Sequence, residues 1–192
     1  MKRFFRIIRL LLVESHQYLR RAYYGLILFR IHPFRAMQPV YITGKGNVKI
    51  HSSVTFGVRN SPGYLNTYAY IEAREVDSEI IIKDNTVINN SFCIIANKAK
   101  IEIGYNCLIG DNVKIFGSDF HAITSGMKTK KNAIDRDIVI KDNVWICSNV
   151  IILKGVTIGI NSIVGAGSVL TTSVPDNVLV AGNPAVVIRE LD

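Results

Sequence analysis

IKDNVWICSNVIILKGVTIGINSIVGAGSV, residues 140–169, divides into five hexads. Each begins with an aliphatic residue (Ile140, Ile146, Ile152, Ile158, Val164) and carries a small or β-branched residue at its fifth place. A six-residue period matches neither the 3.6-residue period of an amphipathic helix nor the simple alternation of a half-buried strand. It suits a coil of short parallel strands with regular corners, in which one hexad is one flat wall and three walls make a turn of eighteen residues. The Asp-Asn and Gly-X pairs between the aliphatics supply the corners, because Asn and Gly tolerate left-handed backbone angles. A single turn cannot bury its own aliphatics, so several must stack. The spacing therefore predicts an all-β solenoid.

The same stretch resembles the hexapeptide-repeat acyltransferases, which include galactoside, maltose, serine and polysaccharide O-acetyltransferases. Asp142-Asn143-Val144-Trp145-Ile146 closely matches the family's (D/N)-N-V-W-I-G, with Cys147 in place of the glycine. The close of the chain is similar to the family's ending through Pro175, Asp176, Asn177, Ala181, Gly182, Asn183, Pro184, Ala185 and Arg189. The resemblance implies a left-handed parallel β-helix; the hand comes from the family and not from the spacing.

Outward from the central stretch, aliphatics keep the six-residue register at Ile42, Val48 and Val54, then at Val76, Ile82, Ile88 and Ile94. The register slips by three residues before Ile103 and continues through Ile109 and Ile115. Two segments leave it, residues 57–75 and 116–139, so the expected organisation is a basic helical segment at 1–38, a coil at 39–170 with those two excursions, and an exit segment at 171–192. Residues from about Arg3 to Phe29 read as one or two amphipathic helices stopped by Pro33. Their apolar runs, broken by Arg6 and Arg9, fall short of the ~20 residues needed to cross a bilayer, and no small-residue cleavage site follows the first run.

The formal charge of +8 is concentrated in this segment: residues 1–35 hold eight Lys and Arg against Glu14, a net of +7. Two readings are compatible, a cap on the open end of the solenoid and a basic amphipathic surface resting on the anionic inner leaflet. Nucleic acid is not an expected partner, because no recognised binding motif accompanies the charge. Cys93, Cys107 and Cys147 are an odd count without metal spacing and read as free thiols in a reducing cytoplasm.

Walls of aliphatics carry little catalytic equipment, which places chemistry where loops break the repeat. His121 stands where the second excursion leaves the coil; His16, His32 and His51 do not. Acetyl transfer from a thioester to a sugar hydroxyl requires removal of the hydroxyl proton, which a neutral imidazole can accept near neutral pH. The resemblance implies the same role, since the family's catalytic His precedes such a loop. Asp119 is a candidate to orient the ring, against a plain turn-forming Asp.

By resemblance, Asn90 falls where the sugar acetyltransferases hold the acceptor, the alternative being a corner Asn. The resemblance likewise implies that Trp145 lies beside the acyl donor and the active site, the alternative being a Trp that covers an intersubunit seam. It implies a small-residue wall of Ser148, Gly165, Ala166, Gly167 and Ser168 for the pantetheine arm of acetyl-CoA, with Lys154 and Arg189 as cations for its phosphates.

These readings converge on an acetyl-CoA-dependent O-acetyltransferase of a saccharide, with no metal, expected in the cytoplasm and peripheral on the inner face of the membrane; the resemblance further implies a homotrimer with its sites between subunits. The alternatives are an N-acetyltransferase of an amino-sugar nucleotide and a non-enzymatic solenoid scaffold. A zinc site of the carbonic anhydrase kind would need three converging histidines, and only His51 and His121 lie in the coil.

Overall fold

The computed structural model describes residues 2–28, 33–122 and 133–192. Three parallel walls coil around one apolar shaft, and α1 (Lys2–Leu28) lies against the first turn. One helix is present among the described residues where the sequence allowed two, and it runs unbroken because Lys2 to Leu28 contains no proline and only Gly25 as a weak helix former. Residues 29–32, which include the expected helix end at Phe29, lie outside the described residues.

The walls stack in strict register. In wall 1, Phe56, Ile88, Ile109, Ile146, Val164 and Val180 are aligned neighbours. In wall 2, Ile42, Ile71, Ile94, Ile115, Ile152 and Leu170 form the corresponding column. Wall 3 stacks Ile50, Ile82, Ile103, Ile140 and Ile158. The leading aliphatics of the five regular hexads are all fully buried, as are their fifth-place partners Val144, Val150, Val156, Ser162 and Ser168 to within 1%. Close packing of these side chains is the main stabilising term, at roughly 1.5–3 kcal/mol per buried Val or Ile. The corners are made as the Asp-Asn pairs anticipate: Asn143, Asn161 and Asn177 sit at φ 58°, 59° and 56°. Their amides form a ladder up the corner, Asn143 donating to Asn161 at 3.2 Å and Asn161 to Asn177 at 2.9 Å.

The three-residue slip before Ile103 is a longer strand. Lys100–Ile103 turns both Ile101 and Ile103 into the shaft, so wall 3 absorbs the extra residues without a break. The first excursion is shorter than residues 57–75. It leaves wall 1 after Thr55–Phe56 and ends at Ala69, because Ala69–Ala73 is a wall 2 strand paired with Val40–Gly44 and Cys93–Ala96. Its inward residues are Ala69, Ile71 and Ala73, and its outward ones Tyr70 and Glu72, which hides the aliphatic period. Val76 is a corner residue, 77% exposed, rather than part of a wall. The coil also begins earlier, with Arg35–Ala36 in wall 1. It ends later: Val174 bridges to Ile158 and Val178–Gly182 runs parallel to Ile163–Val164, and only Ala185–Glu190 folds back antiparallel.

The outer faces differ in kind. Wall 3 carries charge ladders, Lys49 to Glu79 at 2.8 Å and Lys83 and Lys100 to Glu102 at 2.5 and 2.8 Å. Wall 1 presents Leu108 and Trp145, each about half exposed.

Candidate active site

The wall 2 strand Lys114–Phe116 ends with Gly117 donating to the Ile95 carbonyl at 3.0 Å. The chain then leaves the coil between two segments clasped by an isolated antiparallel bridge. Ser118 bridges Asp135, Asp119 N–H donates to Ile134 at 3.1 Å, and Arg136 N–H to Gly117 at 3.0 Å. Residues 123–132, the outer part of this excursion, lie outside the described residues.

Phe120, at the mouth, adopts φ 60°, a left-handed conformation that bulky L-residues rarely take and that persists where surroundings enforce it. Here three contacts do so. Its N–H donates to Ser118 Oγ at 2.9 Å, its ring meets Phe116 edge-on at 5.9 Å, and the Arg74 guanidinium lies 4.8 Å from the ring centroid. Arg74 is itself held by a two-point pair with Glu72, at 2.8 Å each. The next residue, His121, is thereby turned out to an exposed position, its N–H closing onto the Asp119 carbonyl at 2.7 Å.

Asp119 is joined to His121 through that main-chain turn. Its carboxylate points elsewhere: Oδ1 is 2.6 Å from Lys154 Nζ, with the two side chains 18% and 20% exposed respectively. Its Oδ2 is buried without a hydrogen-bond partner among the described residues. Lys154 follows Ile151–Leu153, the strand stacked on Lys114–Phe116, so the ion pair ties the excursion to the next turn. A pair buried to this degree matters chiefly when broken, since loss of either member leaves a poorly solvated charge.

A surface groove of about 570 Å³ crosses the outer face of wall 2, and its lining includes Tyr70, Glu72, Arg74, Cys93 and Lys114. It reaches the Arg74 that covers Phe120 and so runs toward the His121 turn. Burial and the neighbouring Glu72 push the Tyr70 hydroxyl up to about 12, while the hydrogen bonds from Arg74 hold the Glu72 carboxyl below its usual range. Burial raises all three thiols, Cys107 to about 11, which keeps them protonated at neutral pH.

The remaining candidates lie along the corner between walls 1 and 2. Asn90 is fully buried there. Its Nδ2 donates to the carbonyls of Val58 and Pro62 at 2.9 and 3.0 Å, and its Oδ1 accepts from Val58 N–H at 3.2 Å. The amide thus holds the first excursion in place, and any effect on an acceptor passes through that loop. Ser91, at φ 62°, takes the corner. Replacing Asn90 with alanine strands these groups, each costing about 1–3 kcal/mol; we expect a lower melting temperature and faster proteolysis near residues 58–62, both measurable on the purified chain.

Higher on this corner, Ser148 donates to Asp111, and Ser168 is buried with its hydroxyl on the Gly165 carbonyl at 2.6 Å. Gly165 packs under the last turn, whereas Ala166 and Gly167 are exposed, and a Cβ at Gly167 would meet nothing within 4 Å. Trp145 is close by on wall 1, and Arg189 lies on the final antiparallel strand, across from Leu179. In one chain, therefore, His121, Asp119 and Lys154 gather at one edge of wall 2, while Trp145, Ser148 and the small residues gather at or beyond its other edge. Phe120, Arg74 and Glu72 do not stand out as site residues in the sequence. The Tyr70-x-Glu72-x-Arg74 alternation was the available signal, since period-two polar residues mark the outer face of a strand.

Residues 137–172 match the model of the bacterial transferase hexapeptide (six repeats). The galactoside O-acetyltransferase of Escherichia coli is 39% identical over 115 residues, 60% of this chain and 56% of that one. WbbJ of E. coli, provisionally named a lipopolysaccharide biosynthesis O-acetyl transferase, is 32% identical over 163 residues, 79% of this chain and 76% of that one. Among solved structures, the polysialic acid O-acetyltransferase OatWY superposes with a TM-score of 0.61 at 26% identity, over 79% of this chain and 68% of that one. The chain spans 57, 49 and 56% of the length of the first curated relatives it matches. The parallel three-walled coil together with these likenesses fits a left-handed parallel β-helix.

Proposed function

Because the chain belongs to the bacterial transferase hexapeptide family, we propose that it transfers an acetyl group from acetyl-CoA to a hydroxyl of a saccharide. The observation that carries this reading is the exposed His121, next to the strained Phe120, whose ring is covered by the Arg74 that lines the wall 2 groove. His121 removes the proton from the acceptor hydroxyl as its oxygen attacks the thioester carbonyl. It returns that proton to the CoA sulfur as the carbon–sulfur bond breaks, and a main-chain N–H or wall hydroxyl stabilises the oxyanion between the two steps.

Asp119 and Lys154 serve as positioning residues that fix the turn carrying His121. Lys154 is engaged there, which leaves Arg189 for the nucleotide phosphates. The exposed, unobstructed edge at Ala166 and Gly167 is compatible with an extended pantetheine arm lying flat beside Trp145. Since the His121 group and this edge lie apart in one chain, we place the complete site between two copies in a homotrimer.

The test is release of CoA and mass-spectrometric detection of the product, with acetyl-CoA offered against sugar nucleotides, oligosaccharides, lipid-linked sugars and amino sugars. Acetylation of one or more hydroxyls is expected. Acetylation of an amine alone would transfer the assignment to N-acetylation, and no turnover with any acceptor would sink it.

A further inference from the structure

Helix α1 sits on the coil with its polar side inward. At 100° per residue, Val13, Glu14, Gln17, Arg20, Arg21 and Tyr24 share one face, and these, with Gly25, are the buried or half-buried residues among those of the helix whose side chains are described. Gln17, at the centre of that face, is 0% exposed and donates to the Tyr64 carbonyl; Arg20 donates to the Thr67 carbonyl at 2.6 Å and Arg21 to that of Ala36 at 2.7 Å. Glu14 pairs with Arg59 at 2.8 Å. The opposite side carries Phe4, Ile8, Leu11 and Leu12 in its first half and Leu19, Tyr23 and Leu26 in its second, with Tyr18 at its margin. All eight are exposed, up to 70% at Leu26. An amphipathic helix normally buries its apolar face; this one presents it outward, in a stripe about 33 Å long from residue 4 to residue 26. The helix cannot roll to hide the stripe without breaking the bonds of Gln17, Arg20 and Arg21.

We infer that this stripe docks on an anionic lipid bilayer, with α1 lying in the plane of the interface. Charge complementarity selects that occupant. Lys2, Arg3, Arg6 and Arg9 fall in the first turns of the helix with no acidic residue before Glu14, which is already paired with Arg59; at 100° per residue they lie on the side of the helix away from the stripe, within about one helix diameter of the headgroups. Anionic headgroups would balance those cations while acyl chains cover the apolar stripe. A second copy packed on the stripe in parallel would instead bring the two cationic ends together. Tyr18 and Tyr23, at the margin of the stripe and on it, have the amphipathic character favoured at a membrane–water boundary. The helix is not long and apolar enough to cross a membrane, so the contact belongs to a face rather than a span. Such docking would hold the wall 2 groove near acceptors that are themselves attached to lipid, but it stands whether or not the acetyl-transfer reading holds.

The experiment is flotation of the full chain with vesicles of equal parts phosphatidylethanolamine and phosphatidylglycerol, and with phosphatidylcholine alone. The chain is expected to float with the anionic vesicles and to bind them more strongly than phosphatidylcholine, with the difference shrinking at high salt. Two double variants, Leu11→Glu/Leu12→Glu and Leu19→Glu/Leu26→Glu, change exposed positions only and should each lower the bound fraction by about tenfold or more, with unchanged melting. Equal binding to both vesicle types, or retained binding by both variants, overturns the proposal. So does a fall in solution mass of the variants when the parent chain shows no vesicle binding, which would assign the stripe to a second copy.

Discussion

Replacing His121 with alanine lowers turnover of the acetyl transfer by about a hundredfold or more, while the melting temperature stays that of the parent chain. The two halves of this expectation have separate origins. The imidazole is exposed and makes no side-chain hydrogen bond among the described residues, so removing it breaks none there. The loss is chemical: with no base on the turn after Phe120, the acceptor must attack as a neutral hydroxyl. His121→Gln provides the control, since it keeps a polar side chain of similar reach but cannot accept and return a proton in the same way, and it should be as inactive as the alanine variant. Initial rates at saturating acetyl-CoA, with circular dichroism on the same samples, make the measurement. Parent-like rates in the alanine variant would remove His121 from the mechanism. A collapsed melting temperature would mean the turn, rather than the base, had been lost.

Ile140→Ala is expected to destabilise the coil by about 2–5 kcal/mol, whereas Val139→Ala on the same strand changes stability by less than about 0.5 kcal/mol. Ile140 is fully buried between Ile103 and Ile158 in the wall 3 column, and its truncation leaves a cavity that neighbours above and below cannot close without shifting the register of their strands. Val139 points outward. Since net stabilities of domains are on the order of 5–15 kcal/mol, the first change removes a large share of the whole and the second almost none. Denaturant titration of both variants decides the matter. Equal losses would contradict the inward and outward alternation on which the three-walled description rests.

The two expectations differ in how far the sequence alone supports them. Ile140 is readable as a core residue because the evidence for it is local: an aliphatic recurs every sixth position and Asn143 follows in corner geometry, all within one hexad. The strand Ala69–Ala73 was unreadable by the same rule, because alanine occupies two of its three inward positions and Tyr70 and Glu72 dominate the pattern. The last coil turn was likewise hidden, since it is two residues shorter than the regular ones before it and ends in a hairpin.

The site shows the same division. His121 could be found as a histidine at a break in a repeat. That Lys154 would meet Asp119, that Asn90 would be enclosed by Val58 and Pro62, and that Phe120 would be held at positive φ beneath Arg74 depend on which residues become neighbours when turns of unequal length are stacked. The orientation of α1 is the clearest instance. Amphipathicity is present in its sequence, yet the usual inference from it is reversed, because the surface it meets offers the open carbonyls of Ala36, Tyr64 and Thr67, which need donors more than the coil needs further apolar cover. The repeating wall, its corners and the position of the histidine at a break are legible along the chain, because each is written within a few consecutive residues. Which side chains converge, and which face of the helix looks outward, were decided only by the tertiary structure, because those contacts join residues from separate turns whose alignment no local period records.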